Sequence, residues 1–206
     1  MLKTELIPAS HAIEPRLMIV VHGLGDSMNG YRWLPQAMQL PWMSYLLVNA
    51  PDPFYNGFTW YDLDNDPGSG IERSRKMLFE LLDHMRGQGY PSEKTMVFGF
   101  SQGCVLAIEL GARYPHRLAG IVGVSGSVHE PEQMACEFSP QALQQRFLIT
   151  HGTDDPIMPV ERVRPRIELL RQAGLRIDWR EFNKPHSIDG ESELPVLRGF
   201  VSDSYV

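Results

Sequence analysis

Three side chains in this 206-residue chain could together perform acyl transfer: Ser101, His186 and an aspartate at position 154 or 155. A serine hydroxyl is a weak nucleophile. It needs a general base within hydrogen-bond reach, and the base needs a carboxylate to orient it. Ser101 stands in Gly99-Phe100-Ser101-Gln102-Gly103, directly after the apolar run TMVF and at the start of a helical pattern. That strand–turn–helix setting is what a nucleophile elbow requires. The serine sits on a strained turn, and Gly99 and Gly103 remove side chains that would collide with neighbouring backbone. The plain alternative is that Ser101 only caps the following helix, since serine is a favoured N-cap.

The partners decide between these readings. In α/β hydrolases the acid and then the base follow the serine in chain order. Downstream, ITHGTDDPIMPV (149–160) is a strand running into a loop with Asp154 and Asp155, and NKPHSIDG (183–190) carries His186 one helix and one strand later. In a parallel sheet these loops lie on the same edge as Ser101. Of the seven histidines, His11, His84, His116 and His129 have no carboxylate at a matching strand end and are expected on the solvated surface. His22 and His151 each end a strand and could orient loops by hydrogen bonding, but neither follows a carboxylate in the required order. His186 is therefore the expected base. Pro156 biases Asp155 toward extended backbone, which favours it over Asp154 on spacing, with Asp154 left open. A metal-dependent hydrolase using His151, Asp154 and Asp155 is the weaker reading, because their spacing is not that of a strong ligand set.

A tetrahedral intermediate also needs amide donors for its oxyanion. The residue after the nucleophile supplies one, here the backbone of Gln102. The loop after an early strand supplies the other. VVHGLGDS (20–27) occupies that place, and Gly23 and Gly25 allow Leu24 to present its N–H. The same glycines do not complete a dinucleotide fingerprint, since Met28 stands where the third glycine belongs.

The elements that must position these groups alternate along the chain. Segments 16–23, 44–51, 95–100, 118–126 and 146–152 are mostly continuous apolar runs, as expected of parallel strands buried on both faces. Segment 176–182 alternates and belongs nearer an edge. Segments 70–89, 101–115, 160–174 and 193–205 carry helical spacing, and Val105, Ile108 and Ala112 form one expected stripe on the second. The pattern predicts an α/β fold in which helices cover both faces of a mostly parallel sheet, as a single domain over 1–206. The connection 127–145 is too short for a cap domain, so the site should be shallow and open. Its apolar walls are expected from Leu24, Phe54, Tyr55, Phe58, Trp60, Ile157, Met158 and Ile188, with Trp60 and Tyr61 also partly packing.

Composition narrows the function classes. Apolar residues make up 43% and charged residues 21% of the chain, a globular balance. The net charge of −6 without a basic cluster argues against nucleic acid and against stable membrane association. The N-terminus lacks the uninterrupted apolar region of a secretory signal, and no run reaches a membrane-spanning length. The two cysteines, Cys104 and Cys136, fit neither a zinc site nor a redox pair. They are expected as free buried thiols in a cytoplasmic protein. A homodimer is compatible with all of this, and no cofactor is called for.

HGLGD, APD…WYDL, GFSQGC, HGTDDPIMP and PHS, in this order, resemble the phospholipase/carboxylesterase family of serine hydrolases, which includes the acyl-protein thioesterases. The resemblance runs from about Leu17 to Val201. It implies an α/β-hydrolase fold, Ser101 as nucleophile, His186 as base, Asp155 rather than Asp154 as the acid, and Leu24 and Gln102 as oxyanion donors. The stretch between APD and WYDL is shorter than in many such proteins, and Cys104 stands where glycine or alanine is common. The expected activity is hydrolysis of short- to medium-chain carboxylic esters, with thioesters also in range. A lysophospholipase or acyl-protein thioesterase would use the same residues. A non-catalytic acyl-binding module would have no need of all three triad groups.

Overall fold

A strand that is apolar on both faces needs helices on both sides of its sheet, and the central strands here follow that rule. The computed structural model describes residues 2–205. Strands β1 (Thr4–Ile7), β2 (Leu17–Val21) and β3 (Ser44–Val48) precede a small hairpin, β4 (Asp52–Phe54) and β5 (Gly57–Thr59). Then come β6 (Thr95–Phe100), β7 (Gly120–Val124), β8 (Arg146–Gly152) and β9 (Arg176–Phe182). Seven of them form one sheet in the order β1-β3-β2-β6-β7-β8-β9. All neighbours in it pair in parallel except β1 with β3.

Period-2 alternation divides the core in two. Leu17, Ile19 and Val21 of β2 join a cluster with apolar residues of α2 (Pro67–Gly87), α3 (Gln102–Arg113), α4 (Pro131–Cys136) and α5 (Val160–Gln172). Met18 and Val20 face the other way, toward α1 (Leu34–Met38) and α6 (Glu193–Asp203). The fold is therefore the expected doubly covered, mostly parallel sheet. β9 lies at an edge, in keeping with its alternation.

Three local features depart from the sequence reading. β1 is an antiparallel edge strand whose four residues alternate between exposed and half-buried, so it leaves no apolar run to read. Helix α3 carries no single apolar stripe: Gln102 to Ala112 are all buried, because the helix lies between the sheet and α2. Cys104 is buried on α3 as expected, but Cys136 is exposed. Burial pushes the Cys104 thiol up to about 12, and only the thiolate reacts readily. A thiol reagent should thus titrate Cys136 in the native protein and Cys104 only after denaturation; rapid native labelling of both would contradict this packing.

Between β7 and β8 the chain builds only the six-residue α4 and a 3₁₀ turn, Ala142–Gln144. No helix among the described residues is long and apolar enough to cross a membrane.

Candidate active site

Parallel strands deliver their following loops to one edge of the sheet, and the loops after β2, β6, β8 and β9 meet there. Ser101 follows β6 with φ +54° and ψ −115°, a strained conformation for a residue with a side chain. The turn is tight enough that a Cβ on Gly99 would overlap the Gly103 carbonyl, and one on Gly103 would overlap the Val21 carbonyl. Ser101 occupies the N-cap position of α3, yet its side chain makes no capping hydrogen bond. Its hydroxyl instead lies 2.9 Å from His186 Nε2.

His186 Nδ1–H donates to Asp155 Oδ2 at 2.7 Å. The other oxygen, Oδ1, accepts the backbone N–H groups of Ile157 and Met158, each at 2.9 Å. Burial works to raise the Asp155 pKa, but those amides and His186 outweigh it and hold the carboxyl below its ordinary range. An ionised carboxylate only accepts, so the proton sits on Nδ1 and leaves Nε2 as the acceptor facing Ser101. Asp154 is exposed, and its backbone N–H donates to Lys184 O at 3.2 Å. The structure thus brings Asp155, and not Asp154, to His186.

The loop after β2 lies against this site: a Cβ on Gly23 would stand 3.3 Å from Ser101 Cβ. His22 is fully buried. Its Nε2 accepts Ala50 N–H at 3.0 Å, so its Nδ1–H donates to Gly23 O at 2.6 Å. The peptide unit is planar and trans, so pinning the Gly23 carbonyl also fixes the direction of the Leu24 N–H. Burial lowers the His22 pKa and keeps the ring neutral, as this pairing requires. Gly25 N–H donates to Phe58 O, and Phe58 N–H donates to Asp26 O, both at 2.9 Å, so the β4–β5 hairpin is laced to this loop. The Gln102 N–H belongs to the first turn of α3, whose amides have no intrahelical acceptor. The Gln102 side chain ties the site to the segment after the hairpin. It accepts from Thr59 Oγ1 and Trp60 N–H and donates to Tyr61 O.

The expected apolar walls separate into groups. Leu24 and Phe54 line a cavity of about 430 Å³ together with Asp52, Tyr61 and Leu63. Tyr55 is 93% exposed at the hairpin tip and Ile157 is 67% exposed, so both border open solvent. Phe58 and Met158 are half-buried and pack on one core cluster, and Ile188 packs on the other. Trp60 is a correction. It is fully buried, and its Nε1–H donates to His22 O at 2.9 Å, so it supports the loop and faces no cavity.

Two polar groups play larger parts than their sequence positions suggest. His151 Nε2–H donates to Met158 O at 2.7 Å and closes the loop that holds Asp155. Lys184, two residues before His186, is buried and paired with Glu193. Neither Lys184 nor Glu193 was legible beforehand, because a lysine between two strand-end residues has the sequence signature of a solvated loop.

The model of the phospholipase/carboxylesterase family matches residues 3–203. The chain belongs to this family. Acyl-protein thioesterase 1 of Schizosaccharomyces pombe is 32% identical over 196 residues, covering 88% of each chain. Carboxylesterase SOBER1 of Arabidopsis thaliana is 26% identical, covering 88% of this chain and 87% of its own. Among solved structures, esterase PE8 superimposes with a TM-score of 0.87 at 25% identity, covering 98% of both chains. This phospholipase/carboxylesterase family member is an esterase-type hydrolase with an α/β-hydrolase fold.

Proposed function

We propose that the protein is a serine carboxylesterase that hydrolyses short- to medium-chain carboxylic esters through a Ser101–His186–Asp155 triad. The observation that carries this reading is the pair of hydrogen bonds from His186 to Asp155 and from Ser101 to His186, combined with a Ser101 side chain that caps nothing. His186 Nε2 takes the Ser101 proton as Oγ attacks the ester carbonyl. The same nitrogen then protonates the leaving alcohol, and water releases the acyl group by the reverse sequence. Asp155 holds the Nδ1–H tautomer and stabilises the imidazolium. The backbone amides of Leu24 and Gln102 receive the oxyanion, each donor contributing on the order of 3 kcal/mol to the barrier reduction.

The cavity beside Leu24 has Asp52, Asp62, Asp64 and Asn65 among its walls, and so polar a lining favours acyl chains short of palmitoyl. Thioesters form a second substrate class for the same machinery. The 32% identity to an acyl-protein thioesterase favours including them.

Hydrolysis of p-nitrophenyl esters from acetyl to palmitoyl, beside matched thioesters, tests the proposal. The expected profile peaks below about twelve carbons, given the three aspartates in the cavity wall. A rate that climbs through palmitoyl would overturn the chain-length assignment, and no turnover of any ester or thioester would overturn the enzyme assignment.

A further inference from the structure

Lys184 and Glu193 form a charged pair in the interior, 3% and 0% exposed. The Lys184 Nζ lies 2.7 Å from both Glu193 carboxylate oxygens. It also donates to Ser187 O at 2.7 Å and to Ser125 Oγ at 3.2 Å. Glu193 Oε2 accepts the Asp189 N–H as well, at 2.9 Å. Burying two charges costs several kcal/mol per ion before their attraction is counted, and well-packed apolar residues often serve stability as well or better. Stability alone therefore gives little reason for this pair.

Its connections suggest another reason. His186 is the middle residue of a three-residue turn closed by Ser187 N–H to Pro185 O at 2.8 Å. The Lys184 ammonium holds the far end of that turn through Ser187 O. The Lys184 carbonyl holds the near end to the aspartate loop by accepting the Asp154 N–H. Ser125 is the residue after β7, and its own N–H donates to Thr150 O on β8. Glu193 begins α6. We propose that Lys184 is a positioning residue for the active site, its buried ammonium clamping the turn that carries His186 to β7 and to α6. The proposal rests on the triad reading above.

The experiment compares wild type, Lys184→Met and Lys184→Met/Glu193→Leu, with active sites counted by a fluorophosphonate probe and the label mapped to its residue. The double variant guards against failure of the single one to fold, because it leaves no buried charge unpaired. Lys184→Met should lower kcat per labelled site by about 10- to 100-fold with KM within about threefold, as a misplaced catalytic group does. The double variant should keep the low kcat. A purely structural pair would lower the yield of labelled protein and leave the rate per site unchanged. That result, or wild-type kcat in either variant, overturns the assignment. Absence of label from Ser101 in the wild type would instead sink the triad reading, and this assignment with it.

Discussion

Ser101→Ala is expected to reduce ester hydrolysis by about 10⁵-fold or more while moving the thermal midpoint by no more than about 2 °C. The two halves of this expectation have separate origins. The loss of rate follows from removing the atom that would carry the acyl group. The unchanged stability follows from what the hydroxyl does not do: it satisfies none of the orphan amides of α3, so no cap is lost with it. Loss of a true serine N-cap costs about 1 kcal/mol, which would appear as about 2–4 °C in a domain of this size. Parallel measurements of p-nitrophenyl ester turnover and thermal unfolding check both halves. A variant that melts early and keeps its activity would restore the capping reading and remove Ser101 from the chemistry.

The second large effect is expected for Asp155→Asn. Asp155 Oδ1 is fixed by two backbone donors, Ile157 N–H and Met158 N–H, so the asparagine must keep its carbonyl oxygen there. Its NH₂ group then faces His186 Nδ1, which has to become an acceptor. The ring proton moves to Nε2 and points at Ser101, and the imidazole no longer takes the serine proton. Rates at neutral pH should fall by about 10⁴-fold, equivalent to about 5.5 kcal/mol in the barrier. The hydrogen-bond count is almost unchanged, so the fold should persist. Stability against acid should change as well. The folded pKa of Asp155 lies below its ordinary value. Its contribution to stability is therefore present above about pH 4 and is lost as the pH falls through the folded value. The asparagine variant should lack that part of the acid slope. Kinetics at pH 7 together with urea unfolding at several acidic pH values test this. Activity within tenfold of wild type would mean that the tautomer is set by something other than Asp155.

Much of this site could be read from the chain because its logic is local. A serine between two glycines at a strand end, and an acid and a base at later strand ends, need only the parallel sheet to be brought together. The apolar runs dictated that sheet. Asp155 and Asp154 were harder to separate, since adjacent residues share a loop and differ only in which way the backbone turns them. The substrate wall was the least legible part. Phe54, Tyr55, Phe58 and Trp60 look alike as an aromatic run, yet one lines a cavity, one lies in solvent, one packs on the core and one is wholly interior. Trp60 is interior because its indole N–H finds the His22 carbonyl, a partner 38 positions away that no local pattern reveals. Lys184 was missed for a related reason. Charged residues are rarely buried without a partner, and its partner lies in the next helix.

The lacing between the β4–β5 hairpin and the loop after β2 divides the labour of that hairpin along its length. Its stem shares two backbone hydrogen bonds with Gly25 and Asp26, and Gly57 is packed so close that a Cβ there would overlap the Gly25 carbonyl. Any change in the stem is therefore transmitted to the peptide that presents the Leu24 N–H. The tip, with Tyr55 almost wholly in solvent, is held by no such contact. Residues added at the tip would reshape what borders the cavity and leave the rate-determining geometry alone, whereas residues added in the stem would disturb both. One short hairpin thus contains a half free to change and a half tied to the loop after β2, and substrate range could drift in such a protein without the chemistry having to be rebuilt.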